Sequence, residues 1–429
     1  MKIYSEKTLT KEERLALLQR PSTRRQDTER IVQEVCLAIK QRGDDAVREY
    51  SRRFDKAEMQ TIRVSTEEFE AAKKSIPPEF LNALKVAVKN IRTFHESQVT
   101  KTQRITTMEG VMCWREARPI ERVGLYIPAG SAPLPSTVVM LGIPAVLAGC
   151  SRIVLCSPPK TNGSVDPLVL ATAATIGIDE VYKVGGAQAI AAMAYGTETI
   201  PKVDKIFGPG NRYVTAAKQY ISTDSEGAAI DLLAGPSEVL ILSDETSNPG
   251  VVAYDLLSQA EHDADAQAVL VTTSESLAKE VLRILPQKAL EFPRNKIVES
   301  SLEHGYIFIA NSRESAVRFS NDYAPEHLII NMQNAEAVVP SIINAGSVFV
   351  GAFAPVTAGD YASGTNHTLP TNRSARWASG VSLDSFLKNV TFQSITKSGL
   401  ESLAPTLTAF ASVEGMQAHA RAVTSRLSK

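Results

Sequence analysis

The sequence predicts an α/β protein built on two Rossmann-like parallel sheets, with small helical extensions at its two ends. Three observations predict it. Short apolar runs between 122 and 207, RVGLYI, RIVLC, VYKV and DKIF, are each followed by Gly or Pro and then an Ala-rich helical stretch, the pattern of a parallel sheet wound through crossover helices. EVLIL at 238–242, AVLVTT near 268, YIFIA at 306, HLII at 327 and SVFV at 347 form a second such series, separated by helical segments such as VVAYDLLSQAEH. The chain has 429 residues, 44% of them hydrophobic, more than one core holds, since single cores stop growing at roughly 250 to 300 residues.

The first 20 or so residues lie outside both series and read as an extension. From about Asp27 to Gln98 the pattern is helical: in PPEFLNALKVAVKNIRTF, Leu81, Leu84, Val88 and Ile91 recur at helical spacing after prolines suited to a helix start. A β-rich stretch near 103–119 precedes the first sheet series. Between Gly351 and Gly380 the chain is rich in Gly, Ser, Thr, Asn and Pro, and a polar loop of that length in a compact enzyme is more often functional than idle. Two or three amphipathic helices are expected to close the sequence.

Composition excludes several partners. The 46 basic and 47 acidic side chains nearly cancel and no stretch collects one sign, so the electrostatic footprint for nucleic acid or an anionic membrane is missing. Cys36, Cys113, Cys150 and Cys156 form no CxxC pair, and the charged start MKIYSEKTLTKEER lacks the apolar core of a secretory signal. No apolar run approaches the roughly 18 to 20 residues needed to cross a bilayer. A soluble cytoplasmic protein acting on a small molecule is the expectation.

Three loops follow expected strands and open helices: GLYIPAGSAPLPST (124–137), GGAQAI (185–190) and GPGN (208–211). In a parallel sheet they share the carboxyl edge, where α/β sheets bind ligands and helix N-termini offer free amides to phosphate. The GxGxxG fingerprint is absent, and Gly and Pro also punctuate ordinary βα turns; it is the cluster of three that favours a dinucleotide. In DLLSQAEHDAD, Gln259 and His262 stand three apart on a helix and project from one face, a spacing that lets two side chains share a metal. YAPEHLII places Glu326 and His327 where a loop enters a buried strand, after a proline expected to hold Ala324 extended. Acid and base can then face one site only if the backbone bends, because successive strand side chains alternate. Asp360 and His367 in AGDYASGTNHTLPT, and Glu414 and His419 in VEGMQAHA, are further metal or polar-substrate candidates that serve equally as solvated residues.

Taken together and in order, GLYIPAGSAPLPSTV, VGGAQAIAAMAYGTE, KVDKIFGPGN, AAIDLLAGPSEVL, DLLSQAEHD, YAPEHLII and AGDYASGTNHTLPT resemble the histidinol dehydrogenase family along essentially the whole chain. The resemblance implies an NAD-linked, four-electron oxidation of L-histidinol through L-histidinal to L-histidine, the last steps of histidine biosynthesis. It implies one zinc ion per subunit on Gln259, His262, Asp360 and His419, a mixed site suited to an imidazole-bearing substrate. Substrate contacts would be Ser237, His327, His367 and Glu414 beside the zinc ligands, and NAD contacts Tyr126, Gln188 and Asn211. His327 would act as the base and Glu326 would activate water for the second oxidation. A homodimer is implied, with Glu414 and His419 of the C-terminal tail reaching the neighbour's site.

The expected partition is an N-terminal extension (1–25), a first α/β domain (26–125 with 237–380) carrying most metal and catalytic residues, a second (126–236) with the NAD loops, and a helical dimerisation tail (381–429). The chain departs from the family pattern at Ala129, where PAG replaces PGG, at Ala324, where the usual glycine precedes PEHL, and at Asp263 and Ala264 after His262. Positive φ at Ala129 would be strained. Three rivals remain: a family member oxidising another small alcohol, a zinc hydrolase using Glu326 without redox chemistry, and a thiol-dependent aldehyde dehydrogenase using Cys113, Cys150 or Cys156.

Overall fold

The computed structural model describes residues 1–20, 26–129, 132–233 and 235–428. In chain order its strands are β1 (Lys2–Ser5), β2 (Arg104–Met108), β3 (Val111–Pro119), β4 (Arg122–Tyr126) and β5 (Arg152–Ser157). There follow β6 (Val181–Lys183), β7 (Lys205–Phe207), β8 (Ala229–Ile230), β9 (Glu238–Ser243) and β10 (Gln267–Thr272). The last are β11 (Tyr306–Ile309), β12 (His327–Asn331), β13 (Ser347–Val350) and β14 (Leu387–Ile395).

Both expected parallel sheets are present. One has five strands in the order β6-β5-β4-β7-β8 and the other six in the order β1-β11-β10-β9-β12-β13, every pair parallel. Every residue of β9, β10 and β12 is buried, which is why these strands read as unbroken apolar runs rather than alternating ones. The chain reverses its direction of growth beside β4 in the first sheet and beside β9 in the second. Such switch points open a crevice at a sheet's edge.

The chain is partitioned differently from the expectation. The helices Gln26–Arg42, Thr66–Ser75 and Pro78–Glu96 pack their apolar faces on the five-stranded unit, and the last of them also meets the 237–380 unit through Asn90 Nδ2, which donates to the Ala362 carbonyl at 2.9 Å. Val32, Val35 and Ile39 share a core with Ile190 and Ile206, while Leu84 and Ile91 share one with Leu125 and Val139. The amphipathic stripes are legible, but helical periodicity does not say which sheet a stripe will meet. Nor is the N-terminus a detached extension. β1 pairs with β11 from Lys2↔Tyr306 to Ser5↔Ile309, closing that edge of the six-stranded sheet. The expected NAD loop at 124–137 is described apart from Gly130 and Ser131, and the AAIDLLAGPSEVL motif apart from Ala234; these residues, and 21–25 of the expected extension, lie outside the described residues.

The expected helical tail opens with a short 3-10 turn, Leu383–Phe386, followed by a strand. β14 pairs antiparallel with β3 along its length, from Leu387↔Pro119 to Ile395↔Val111, and β2 completes a three-stranded sheet. Val390, Thr391 and Phe392 favour that pleated setting over a helix. Two helices, Lys397–Val413 and Gln417–Leu427, then fold against each other.

Ala324 is not extended. It ends the helix Arg313–Tyr323 in the left-handed region, φ 53° and ψ 65°, with its N–H on the Ser320 carbonyl at 2.8 Å. Helix termination overrides the preference imposed by Pro325, and the family's usual glycine fits that conformation. Ala324→Gly should therefore stabilise the fold by about 0.5–1 kcal/mol: a left-handed cost of roughly 1–2 kcal/mol is relieved, less the unfolded-state freedom glycine regains. A thermal melt checks this, and an unchanged or lower Tm would contradict it. Ala129 is not among the residues with positive φ.

Candidate active site

β9 and β12 are neighbours, with His327 opposite Val239, so Glu238 and His327 open adjacent strands at the amino edge of the six-stranded sheet. Glu326 precedes the strand and escapes its alternation. Its Oε2 accepts from the Glu238 N–H at 2.8 Å and lies 3.5 Å from His327 Nδ1. The left-handed turn at Ala324 thus provides the bend that lets acid and base meet. Both side chains are buried, each residue 5% exposed.

The imidazole's protonation is set by its partners. Nδ1 lies 3.1 Å from the Glu238 carbonyl oxygen, which can only accept, so Nδ1 carries the hydrogen. Nε2 is buried, has no hydrogen-bond partner, and stands 3.8 Å from Asp360 Oδ1. In the neutral ring that nitrogen holds a free lone pair. Burial lowers the basicity of His327, but the neighbouring charges of Glu326 and Asp360 and the hydrogen bonds to Glu326 and Glu238 outweigh it, raising the pKa to about 9. The near-neutral value expected from the residue type alone is therefore not found. A cation held by Asp360 would oppose the upward shift.

Asp360 sits on the short helix Val356–Tyr361. Its carbonyl lies 3.0 Å from His367 Nδ1, while His367 Nε2 lies 3.3 Å from Thr137 Oγ1. Burial holds the His367 pKa below the usual value, against the opposing charge of Asp360. Thr137 belongs to the helix Pro135–Ala148, which follows β4, and on the same helix the Met140 carbonyl accepts from Asn366 Nδ2 at 2.6 Å. The polar 363–372 loop therefore joins the carboxyl edge of one sheet to the amino edge of the other.

Gln259 lies in the last turn of the helix Pro249–Ala260, 2% exposed, and neither Oε1 nor Nε2 has a hydrogen-bond partner. Leaving an amide so buried and unpaired costs roughly 1–3 kcal/mol per group, which makes Gln259 a candidate ligand. His262 follows, exposed, with its N–H on the Gln259 carbonyl at 3.2 Å. Ser237, half-buried, immediately precedes β9. Glu414 and His419 stand apart: both are exposed on the C-terminal helix pair, and neither side chain makes a hydrogen bond or ion pair within the described residues. Among those residues no three His, Cys, Asp or Glu side chains form a metal-ready group. Of the candidate set, Gln259, His262 and Asp360 belong to the two-sheet body and His419 to the projecting helices.

The three candidate NAD contacts gather at the carboxyl edge of the five-stranded sheet, around its switch point. Tyr126 ends β4 and its hydroxyl accepts from the Gly186 N–H at 3.0 Å. Gln188 Nε2 donates to Asp55 Oδ2 at 3.1 Å, and Asn211 caps the helix Arg212–Ser222, accepting from Tyr213 N at 3.0 Å and Val214 N at 3.2 Å. Gly208 has φ 127°, and a Cβ there would meet the Tyr126 carbonyl at 2.2 Å. Only glycine lets the two backbones approach so closely.

A family model described as histidinol dehydrogenase matches residues 18–427. The chain belongs to the histidinol dehydrogenase family. A curated histidinol dehydrogenase from Bacteroides fragilis is 51% identical over 411 residues, 96% of each chain. One from Vibrio parahaemolyticus is 47% identical over 423 residues, covering 98% of this chain and 97% of its own. A crystal structure of histidinol dehydrogenase from Elizabethkingia anophelis matches with a TM-score of 0.96 at 50% identity, covering 100% of this chain and 98% of that one.

Several residues around this candidate site carry no signal in the sequence. Thr137, Glu238 and Asp55 lie outside any chemically suggestive pair, and only tertiary contact reveals them. Burial pushes the Asp55 carboxyl up to about 6, eased by the Gln188 hydrogen bond. Cys36, Cys150 and Cys156 are poorly suited to serve as nucleophiles. Burial pushes Cys36 up to about 12 and Cys150 up to about 11, and drives Cys156 higher still, whereas a reactive thiol needs its pKa lowered. Cys113 is on β3, opposite Gln393 in the antiparallel sheet. No helix among the described residues is long and apolar enough to cross a membrane.

Proposed function

We propose that this chain oxidises L-histidinol through L-histidinal to L-histidine with two molecules of NAD, completing histidine biosynthesis. The observation that carries the mechanism is the His327–Glu326 pair hung on one backbone residue, with Nδ1–H fixed on the Glu238 carbonyl and Nε2 left free. In the neutral form of the ring, His327 Nε2 takes the proton from the substrate alcohol as its carbon is oxidised. Glu326 takes a proton from the water that adds to the aldehyde, and His327 again accepts a proton in the second oxidation. NAD supplies the hydride acceptor in both, bound at the edge that carries Tyr126, Gln188 and Asn211. The crossing of the 363–372 loop between the two sheet edges supports a reading in which both oxidations share one site.

The donors fit a zinc ion: a buried, unpartnered Gln259 amide, the Asp360 carboxylate and imidazoles from His262 and His419. When bound, the metal orients the substrate's own nitrogen donors. Ser237, His367 and Glu414 complete the substrate contacts. In this reading His419 and Glu414 come from a second copy in a homodimer, which is supported by the apolar surface around them: Phe410 is 67% exposed and Val413 90%. Chelation of the purified enzyme should abolish NADH formation from L-histidinol, and added zinc should restore it. Full activity after complete metal removal would overturn the metal assignment.

A further inference from the structure

Glu326 and His327 depend on the backbone of a single residue, and that residue's side chain is anchored from two distant parts of the chain. Glu238 offers its N–H to Glu326 and its carbonyl to His327. Its own carboxylate, 1% exposed, accepts from the Asn372 N–H at 2.8 Å and pairs with Arg20 Nε. Asn372 ends the loop that carries His367, so one carboxylate ties that loop to the start of β9.

Arg20 extends the anchorage. Its Nη2 donates to the Tyr323 carbonyl at 2.9 Å, its Nη1 to the Leu18 carbonyl at 3.0 Å, and its guanidinium stacks on the Tyr323 ring at 3.4 Å. Tyr323 is locked in turn through its hydroxyl on Gln267 Oε1 at 2.7 Å. Tyr323 stands three residues before Glu326, across the left-handed turn at Ala324. The guanidinium fork thus grips both chain segments that deliver the catalytic pair: β9 through the Glu238 carboxylate, and the turn into β12 through the Tyr323 carbonyl. A lysine could supply the charge but not this planar, multi-directional fork.

We propose that the buried Arg20–Glu238 ion pair is a positioning device for Glu326 and His327, setting their geometry from outside the reacting centre. It rests on the reading that Glu326 and His327 carry the chemistry. A buried ion pair adds little net stability and is often replaceable by apolar residues, whereas removing one partner strands a charge. Stability and positioning therefore separate experimentally. Misplacement of catalytic groups by about 1 Å costs on the order of 10²-fold in rate.

The test uses full-length enzyme carrying Glu238→Gln, Arg20→Lys, or Arg20→Met with Glu238→Met, with Glu326→Gln and His327→Asn as controls. Measured are kcat, KM for NAD, bound metal and Tm. Glu238→Gln should lower kcat by about 10- to 100-fold, with KM for NAD and metal content unchanged, and Arg20→Lys should fall between it and the parent. The double methionine variant should regain Tm, because no charge is stranded, while kcat stays low. Recovery of kcat together with Tm would make the pair merely structural and overturn the proposal, as would parental kcat in Glu238→Gln or Arg20→Lys. If a single variant fails to fold, the double variant still separates positioning from stability. Full turnover in the Glu326 or His327 controls would instead refute the functional reading beneath it.

Discussion

Replacing His327 with Asn is expected to lower kcat by about 10²- to 10⁴-fold, the usual contribution of a positioned proton acceptor, while NAD still binds. The asparagine amide can keep a hydrogen bond to the Glu238 carbonyl, so the β9–β12 junction need not collapse. What is lost is the free nitrogen at Nε2, which is buried and unpartnered beside Asp360. Steady-state rates with L-histidinol, beside NAD titration of the same preparation, measure the two effects separately. A variant within a few-fold of the parental kcat would remove His327 from the chemistry.

Glu326→Gln should split the reaction. The glutamine oxygen can still accept from the Glu238 N–H, but a neutral amide cannot take a proton from water. The first oxidation should then proceed and the second fall by about 10²- to 10⁴-fold, so that bound aldehyde accumulates in place of L-histidine. Trapping the aldehyde with a carbonyl reagent and assaying L-histidine distinguishes this from a general loss of activity. Equal loss of both steps would mean that Glu326 acts mainly by supporting His327, whose basicity its charge raises.

Much of this architecture is legible in the sequence, for physical reasons. Continuous apolar runs followed by Gly or Pro are what buried parallel strands require, and the three edge loops bring Tyr126, Gln188 and Asn211 to one carboxyl edge because parallel strands share direction. Glu326 and His327 stand out as acid and base at the mouth of an apolar run. The rest depends on pairings between distant segments. β1 finds its partner β11 some three hundred residues on, and nothing in KIYS announces that edge. The helices of 26–96 show their apolar stripes but not which sheet they cover, and β14 carries strand-favouring residues but nothing that names β3 as its partner. Nothing in the sequence pairs Arg20 with Glu238, which the fold buries against each other. The left-handed turn at Ala324, contrary to the usual effect of a following proline, is what allows consecutive residues to serve one site.

The most direct measurement is the number of NADH molecules formed for each L-histidinol consumed by the purified enzyme. Two are expected, with L-histidine as the product. One NADH per substrate, with free aldehyde released, would contradict this.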